Sequence, residues 1–503
     1  MGLKELAAER IRKLRKLLEI GIDPYKEKRF LPIVYSTEIK SKYAHLKPGD
    51  ETTDTARVAG RIMSIREHGK IVFADVQDPR GYIQLVFRKD VTEHFDLLEL
   101  LDRGDFIGAE GVVIRTKKGE ISVLVKRFRI LSKAIRPLPD TWYGLKDVER
   151  RYRERYVDLI LNPEVREAFV KIHRMLKEMR NFLDERGFIE VQTPILQPVY
   201  GGAFARPFTT HHYALDQTMY LRIAPELYLK RLIVGGFEKV YEFAVCFRNE
   251  DIDALHNPEF LQLELYWAYA DVNDIMELTE ALITHVVERV FGTSRLEFQG
   301  KEIDFSRPWR RVRLVDAIKE FGGPDVEKMT EKELRNHAKE LGIEEERIGA
   351  IIEKLFDYYA KPHLTHPTFV THFPADITPL AKRADERYAE RFELYIAGFE
   401  VANAYTELNN PIEQYKRFKE EEELRKRVRK EGFEFMPMDK DYIRALEYGM
   451  PPTGGLGIGI GRLAMVLLNK PTLKEVILFP ALSREENIEL VVEMFPEVFE
   501  WYQ

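Results

Sequence analysis

Arg248, Glu264 and Tyr266 are residues that bind charge, and the chain sets them in an apolar alternation that a solvated loop does not need. Tyr241, Phe243, Val245 and Phe247 interleave with Glu242, Ala244, Cys246 and Arg248. Further on, Leu261, Leu263, Leu265 and Trp267 interleave with Gln262, Glu264, Tyr266 and Ala268. A period of two gives each run one buried face and one presenting face. Residues 249–259 are polar and irregular, so the two runs form a long hairpin with Arg248, Glu264 and Tyr266 on its less apolar faces. A desolvated charge needs a partner. That partner is either a ligand or, within the hairpin, an Arg248–Glu264 ion pair.

A second set spans residues 391–409. Asn403, Tyr405 and Glu407 share one strand face at steps of two, while Glu393 and Glu400 flank a turn at Ala397-Gly398. Simple alternation puts Glu400 opposite the Asn403 face. A bulge near Val401 and Ala402 would bring all five to one site, and bulges re-aim side chains beside active sites. Two close carboxylates without a basic residue between them suit Mg²⁺, which takes one or two carboxylates together with substrate phosphates. A solvated edge strand is the plainer alternative, and the interleaved Phe392, Leu394, Ile396 and Phe399 weaken it.

Gly454, Gly455, Gly457, Gly459 and Gly461 form the third set, leading into Arg462 and an apolar helix over 463–468. Alternate glycines bare one strand face, so a flat ring or a backbone can lie against it. An arginine at a helix start adds its charge to the positive terminus and makes a phosphate site. Close strand packing is an equally ordinary use of such glycines. Neither the dinucleotide-binding fingerprint nor the lysine-bearing phosphate loop occurs.

These sets must be held by an α+β scaffold. Residues 3–19 place Leu3, Leu6, Ala7, Ile11, Leu14, Leu17 and Leu18 at helical spacing, with Arg10, Arg12, Lys13, Arg15 and Lys16 largely elsewhere. Gly21, Asp23 and Pro24 stop that helix. Its basic face either touches a polyanion or is simply solvated. Five short β-rich runs follow, at 56–65, 70–76, 82–87, 106–114 and 121–130, as in a small oligonucleotide-binding (OB-fold) β-barrel. The expected organisation is a basic amphipathic helix over 1–28, the barrel over 29–140 and a long α+β region over 148–503. Pro137, Pro139 and Asp140 mark the linker.

The chain has 503 residues, 45% hydrophobic and 32% charged, which excludes a disordered or collagen-like protein. No run approaches the ~18 apolar residues of a membrane span, and residues 1–19 lack an apolar signal core. Cys246 is the only cysteine, so neither an intrachain disulfide nor a cysteine-based zinc cluster can form. A net charge of −6 speaks against a uniformly basic nucleic-acid coat and leaves room for local patches. A soluble, cytoplasmic protein without membrane attachment is expected.

Together with Gly201-Gly202-Ala203 and residues 219–236, the three sets resemble the second and third motifs and the amino-acid pocket of the class II aminoacyl-tRNA synthetases. Within that class the match is to the lysine-specific family. Residues 170–194 look like the first motif, with Pro194 as its proline. The resemblance covers essentially the whole chain, including Arg136-Pro137-Leu138-Pro139, and class I signatures are absent. It implies a catalytic domain built on a mainly antiparallel sheet flanked by helices, an anticodon-binding OB-fold and a homodimer. The activity implied is ATP-dependent activation of L-lysine to lysyl-adenylate, with Mg²⁺, and transfer of lysine to the 3′ end of lysine tRNA.

By the same resemblance, Arg248 and Arg462 would be the catalytic residues. Arg248 would bridge the lysine carboxylate and the α-phosphate, and Arg462 would hold the terminal phosphates. Glu393 and Glu400 would bind Mg²⁺, Phe260 would stack on adenine, and Glu250 and His256 would complete the ATP loop. Glu226 would take the α-amino group, while Glu264, Tyr266 and Glu407 would surround the ε-ammonium. Gly202, Ala203, Asn403 and Tyr405 would line the rest, and Phe73, Gln84 and Glu120 would read the anticodon. Three positions depart from the family pattern: Asp251 replaces a usual glycine, Leu255 an arginine of many bacterial members, and Gly461 a usual aspartate. Leu255 removes one candidate contact to the γ-phosphate. An aspartate- or asparagine-specific relative lacks the need for Glu264 and Glu407, a non-catalytic RNA-binding paralogue the need for Arg248 and Arg462, and a protein-lysylating relative the barrel.

Overall fold

The structure, a computed structural model, describes residues 2–139, 147–428 and 436–501; Asp140, assigned above to the linker, lies outside them. The chain divides into two units, Met1–Gly144 with Arg484–Gln503, and Leu145–Ser483.

In the first unit, helix α1 (Leu3–Glu19) buries Ala7, Ile11, Leu14 and Leu17 along one stripe. Its basic residues divide in use. Arg10 is buried and donates to the carbonyls of Ala134 and Arg103 at 2.7 and 2.8 Å. Lys13 pairs with Asp102 at 2.9 Å, whereas Arg12 and Arg15 stay exposed beside Glu9 and Glu19. Part of the basic face is therefore internal, which periodicity alone does not reveal. After α2 (Ser36–Lys42) come β1 (Glu51–His68), β2 (Ile71–Asp78), β3 (Gly81–Arg88), β4 (Phe106–Arg115) and β5 (Ile121–Ser132). They close a barrel in the order β1-β2-β3-β5-β4. Val72, Ala74, Val76, Ile83, Leu85 and Phe87 fill it. Val491 and Val498 pack with Ala7 and Ile11. The last residues thus belong to this unit, although the sequence carried the α+β region to residue 503.

The second unit is built on an eight-stranded sheet. Helix α3 (Pro163–Asp184) leads to β6 (Ile189–Glu190), and α4 (Glu226–Val234) to the hairpin β7 (Lys239–Phe247) and β8 (Glu259–Ala268). Helix α5 (Val272–Phe291) is followed by β9 (Arg310–Arg313), three helices α6 (Leu314–Glu320), α7 (Glu331–Glu340) and α8 (Ile348–Tyr359), and β10 (Thr368–Thr371). A second hairpin, β11 (Arg391–Ile396) and β12 (Phe399–Thr406), precedes α9 (Pro411–Val428) and α10 (Lys440–Glu447). Strand β13 (Thr453–Gly459) runs directly into α11 (Ile460–Leu467). The order across the sheet is β9-β10-β11-β12-β13-β8-β7-β6, antiparallel except for the outer pairs β9–β10 and β7–β6.

One sheet face is apolar. Leu263, Leu265, Phe392, Leu394, Leu456 and Ile458 pack with Met175, Met179 and Phe182 of α3 and Ile275, Leu282 and Val286 of α5. Burial of each such side chain contributes ~1.5–3 kcal/mol, which locks the register and so decides what the other face presents. Helix α5 begins where Asp271 accepts from the backbone N–H groups of Asn273 and Asp274. Among the described residues no helix is long and apolar enough to cross a membrane.

Candidate active site

The opposite sheet face carries the site. The turn from β11 to β12 uses left-handed residues, Ala397 at φ 55° and Gly398 at φ 78°, as a two-residue hairpin turn requires. Leu394 then pairs with Ala402, but Tyr395 pairs with Glu400, leaving Val401 as the extra residue of a bulge. The bulge returns Glu400 to the face of Asn403. Two rows follow from the register. One runs Glu393–Asn403–Gly457–Glu264–Glu242, the other Arg391–Tyr405–Gly455–Tyr266–Val240. A glycine stands at the centre of each row, so the polar side chains on either side rise around a bare floor.

Gly202, Ala203, Glu226, Arg248, Glu250, His256, Phe260, Glu264, Tyr266, Glu400, Asn403, Tyr405, Glu407 and Arg462 line one cavity of about 1060 Å³. Residues scattered over 260 positions of sequence are thereby brought together. Glu393 is not on the wall; it lies beneath it, bonded to Arg391 and to the Tyr395 hydroxyl.

One end of the cavity is acidic. Glu264 accepts from the Tyr266 hydroxyl at 2.7 Å and from Gln262 at 3.0 Å. It makes no ion pair with Arg248, and the facing Glu242 is neutralised by Arg222 at 2.6 Å. Burial pushes Glu264 and Glu407 up to about 8 and raises Glu226 as well. Between Glu226 and Glu407 sits Lys230, with its Nζ 2.6 Å from Glu226 and 2.5 Å from Glu407. Burial opposes the Lys230 charge, but the two carboxylates outweigh it and hold the ammonium well above its ordinary range. Gly202, at φ 86°, presses against Glu226, where a methyl group would stand 2.9 Å from its Cβ.

The other end is basic. The Arg248 guanidinium lies 5.0 Å from the Phe260 ring centre, and its buried Nε has no hydrogen-bond partner among the described residues. Arg462, in the first turn of α11, donates to the Glu400 carboxylate and carbonyl at 3.1 and 3.2 Å. His256 stands 3.4 Å from Arg462 and is tethered to Asp253 at 2.8 Å. Leu255 packs against the core. A side chain on Gly461 would meet Leu473 at 2.9 Å, so the glycine there goes with a leucine in the space an aspartate would claim. Burial and the Glu400 charge push Glu393 up to about 8. Glu393, raised by its neighbour's charge and paired to Arg391, and Glu400, paired to Arg462, together offer carboxylate oxygens of the kind a hard cation takes. No cluster of three or more metal-ligating side chains occurs among the described residues.

Lys230, Arg391 and Arg222 escaped the sequence reading. Glu226 and Lys230 are four residues apart on a helix, a spacing that most often marks a surface pair; only the apolar neighbours Leu227, Leu229 and Ile233 hint otherwise.

In the first unit, Phe73 and Gln84 lie on the outer barrel face, since the alternate residues Val72, Ala74, Ile83 and Leu85 point inward. Phe73 is half-buried and pairs across the strands with Val86, and Gln84 pairs with Asp75. The Gln84 side-chain carbonyl accepts from Ser122 at 3.1 Å. Glu120 meets Lys40 at 2.9 Å.

Comparison with known families agrees with this architecture. Residues 147–483 match the model of the class II tRNA synthetases (D, K and N), and residues 56–131 match that of the OB-fold nucleic acid binding domain. The chain belongs to the class II tRNA synthetases. It is 50% identical over 490 residues to the lysine–tRNA ligase of Syntrophomonas wolfei, covering 96% of this chain and 98% of that protein. Identity to the lysine–tRNA ligase of Carboxydothermus hydrogenoformans is 50% over 486 residues (95% and 98%), and to that of Methanoculleus marisnigri 48% over 488 residues (94% and 94%).

Proposed function

We propose that the protein activates L-lysine with ATP and transfers it to the 3′ end of lysine tRNA. The observation that carries this reading is the cavity's polarity: Glu226, Glu264 and Glu407 at one end, Arg248 and Arg462 at the other. In the first step a lysine carboxylate oxygen attacks the α-phosphorus of ATP and pyrophosphate leaves. In the second, the terminal ribose hydroxyl of tRNA attacks the adenylate carbonyl and AMP leaves. No protein nucleophile is needed, so rate comes from alignment and charge stabilisation.

Arg248 bridges the lysine carboxylate and the α-phosphate, for which its fork geometry is suited. Arg462 draws charge from the terminal phosphates, Phe260 carries the adenine, and Glu250 and His256 close the loop around the nucleotide. Glu226 holds the α-amino group; Glu264, Tyr266 and Glu407 hold the ε-ammonium, between walls made by Gly202, Ala203, Asn403 and Tyr405. Mg²⁺ on Glu400 and Glu393 would neutralise phosphate charge when bound. Aspartate or asparagine would leave the carboxylates unmatched at a large desolvation cost. Phe73, Gln84 and Glu120 read the anticodon as a stacking platform with polar neighbours. The enzyme acts in the cytoplasm as a homodimer. Its subunit contact is formed by the segment 170–194, where Val170 and Ile189 are exposed apolar residues.

Lysine-dependent ATP–pyrophosphate exchange, followed by charging of total tRNA, tests the reading. Exchange with aspartate or asparagine and none with lysine would overturn it.

A further inference from the structure

We propose that Lys230 is a positioning and specificity-determining residue of the amino-acid pocket: a built-in ammonium that ties together the carboxylates assigned to the two ends of the substrate and leaves the pocket short of two positive charges. This rests on the lysine reading above and names the residue that makes the pocket count charge.

The Lys230 side chain has no exposed surface. Its Nζ bridges Glu226, at the start of α4, and Glu407, just beyond β12, at 2.6 and 2.5 Å. One ammonium therefore fixes the spacing between a helix carboxylate and a strand carboxylate. Around it stand the Tyr266 ring at 5.8 Å and the Tyr442 ring of α10 at 6.0 Å, with Glu264 behind Tyr266. The Glu407 oxygens accept no well-directed hydrogen bond among the described residues, although both are buried and border the cavity. Once all three are ionised, three carboxylates against one ammonium leave two negative charges to be matched. Lysine supplies two ammonium groups there and sends its carboxylate to Arg248. An amino acid with a neutral side chain supplies one and strands a buried carboxylate, which is costly. Without Lys230 even lysine leaves one carboxylate unmatched, and the carboxylates that lose their ammonium partner hold protons more tightly, so lysine has to displace protons that are harder to remove.

The test uses the full-length protein with Lys230→Met, which keeps length and loses charge, and Lys230→Ala, which leaves room for propylammonium. Pyrophosphate exchange and equilibrium lysine binding are followed from pH 6.5 to 9. In Lys230→Met the KM for lysine should rise roughly tenfold or more while that for ATP stays within about twofold. Lysine affinity should also need a higher pH to develop than in the unsubstituted protein. Titrating propylammonium into Lys230→Ala should restore lysine affinity, and propanol should not; this arm stands if the methionine variant does not fold. An unchanged KM for lysine in Lys230→Met overturns the assignment. So does a joint loss of lysine and ATP affinity with no pH displacement and no amine rescue, the mark of a merely structural lysine. Failure of the unsubstituted protein to show lysine-dependent exchange removes the underlying reading itself.

Discussion

Gly455 and Tyr266 face each other across the β13–β8 ladder, and a methyl group on Gly455 would stand 2.5 Å from the Tyr266 ring and 2.0 Å from a Glu407 oxygen. The bare position is what lets a phenol and a carboxylate converge on one point. Gly455→Ala should therefore displace both, raising the KM for lysine ~10–100-fold and lowering stability by about 1–3 kcal/mol. Exchange kinetics with each substrate varied in turn, beside a thermal melt, check this. Wild-type lysine affinity in the variant would mean that the floor of the pocket lies elsewhere.

Arg248→Ala and Arg462→Ala should each lower kcat/KM for exchange ~100-fold or more, since a lost charge-assisted clamp costs about 3 kcal/mol in the transition state. Stability should hardly change. Arg248 has a buried Nε without a partner to lose, and Arg462 is a partly exposed residue paired to Glu400. Wild-type exchange in either variant would remove that arginine from the phosphate site.

How much of this was legible beforehand depends on how local the cause is. Period-two alternation is local, so both hairpins, the glycine run and the barrel strands could be read. The Val401 bulge could be inferred because Glu400 otherwise faces the core. Register is not local. That Asn403, Gly457 and Glu264 share a row is set by three strands far apart in the chain, packed through residues such as Leu394, Ile458 and Leu263. Lys230 and Arg10 were missed for one reason: a charged residue at helical spacing reads as solvated until the partner element is in place.

The acidic end should give lysine binding a pH dependence of its own. Burial holds Glu264 and Glu407 up to about 8, yet both must be ionised to accept an ammonium group. Below that value binding has to expel protons, so lysine affinity falls as pH drops; above it the carboxylates are ready. Isothermal titration at pH 6.5 and 8.5 should show tighter binding at the higher pH and proton release at the lower. The same affinity at both, with no buffer-dependent heat, would mean that the carboxylates are already charged in the free protein.

The last prediction separates the two units. If the catalytic unit makes the adenylate alone and the barrel face reads the anticodon, Phe73→Ala and Gln84→Ala should leave pyrophosphate exchange intact and impair charging of lysine tRNA. Phe73 is half-buried on the outer face beside Val86 rather than in the barrel core, so its loss should perturb the fold little. A base stacked on an aromatic ring is worth ~1–3 kcal/mol, hence a roughly ten- to hundredfold weakening of tRNA. Gln84 offers both a donor and an acceptor, and its carbonyl oxygen is held by Ser122. Its amide is thus presented at a set angle, and removing it should relax discrimination at one base more than it lowers total affinity. Charging of wild-type lysine tRNA is compared with that of a transcript altered at the central anticodon base. Should both variants keep the unsubstituted protein's selectivity between the two, Phe73 and Gln84 are ordinary surface residues and the anticodon is read by other groups.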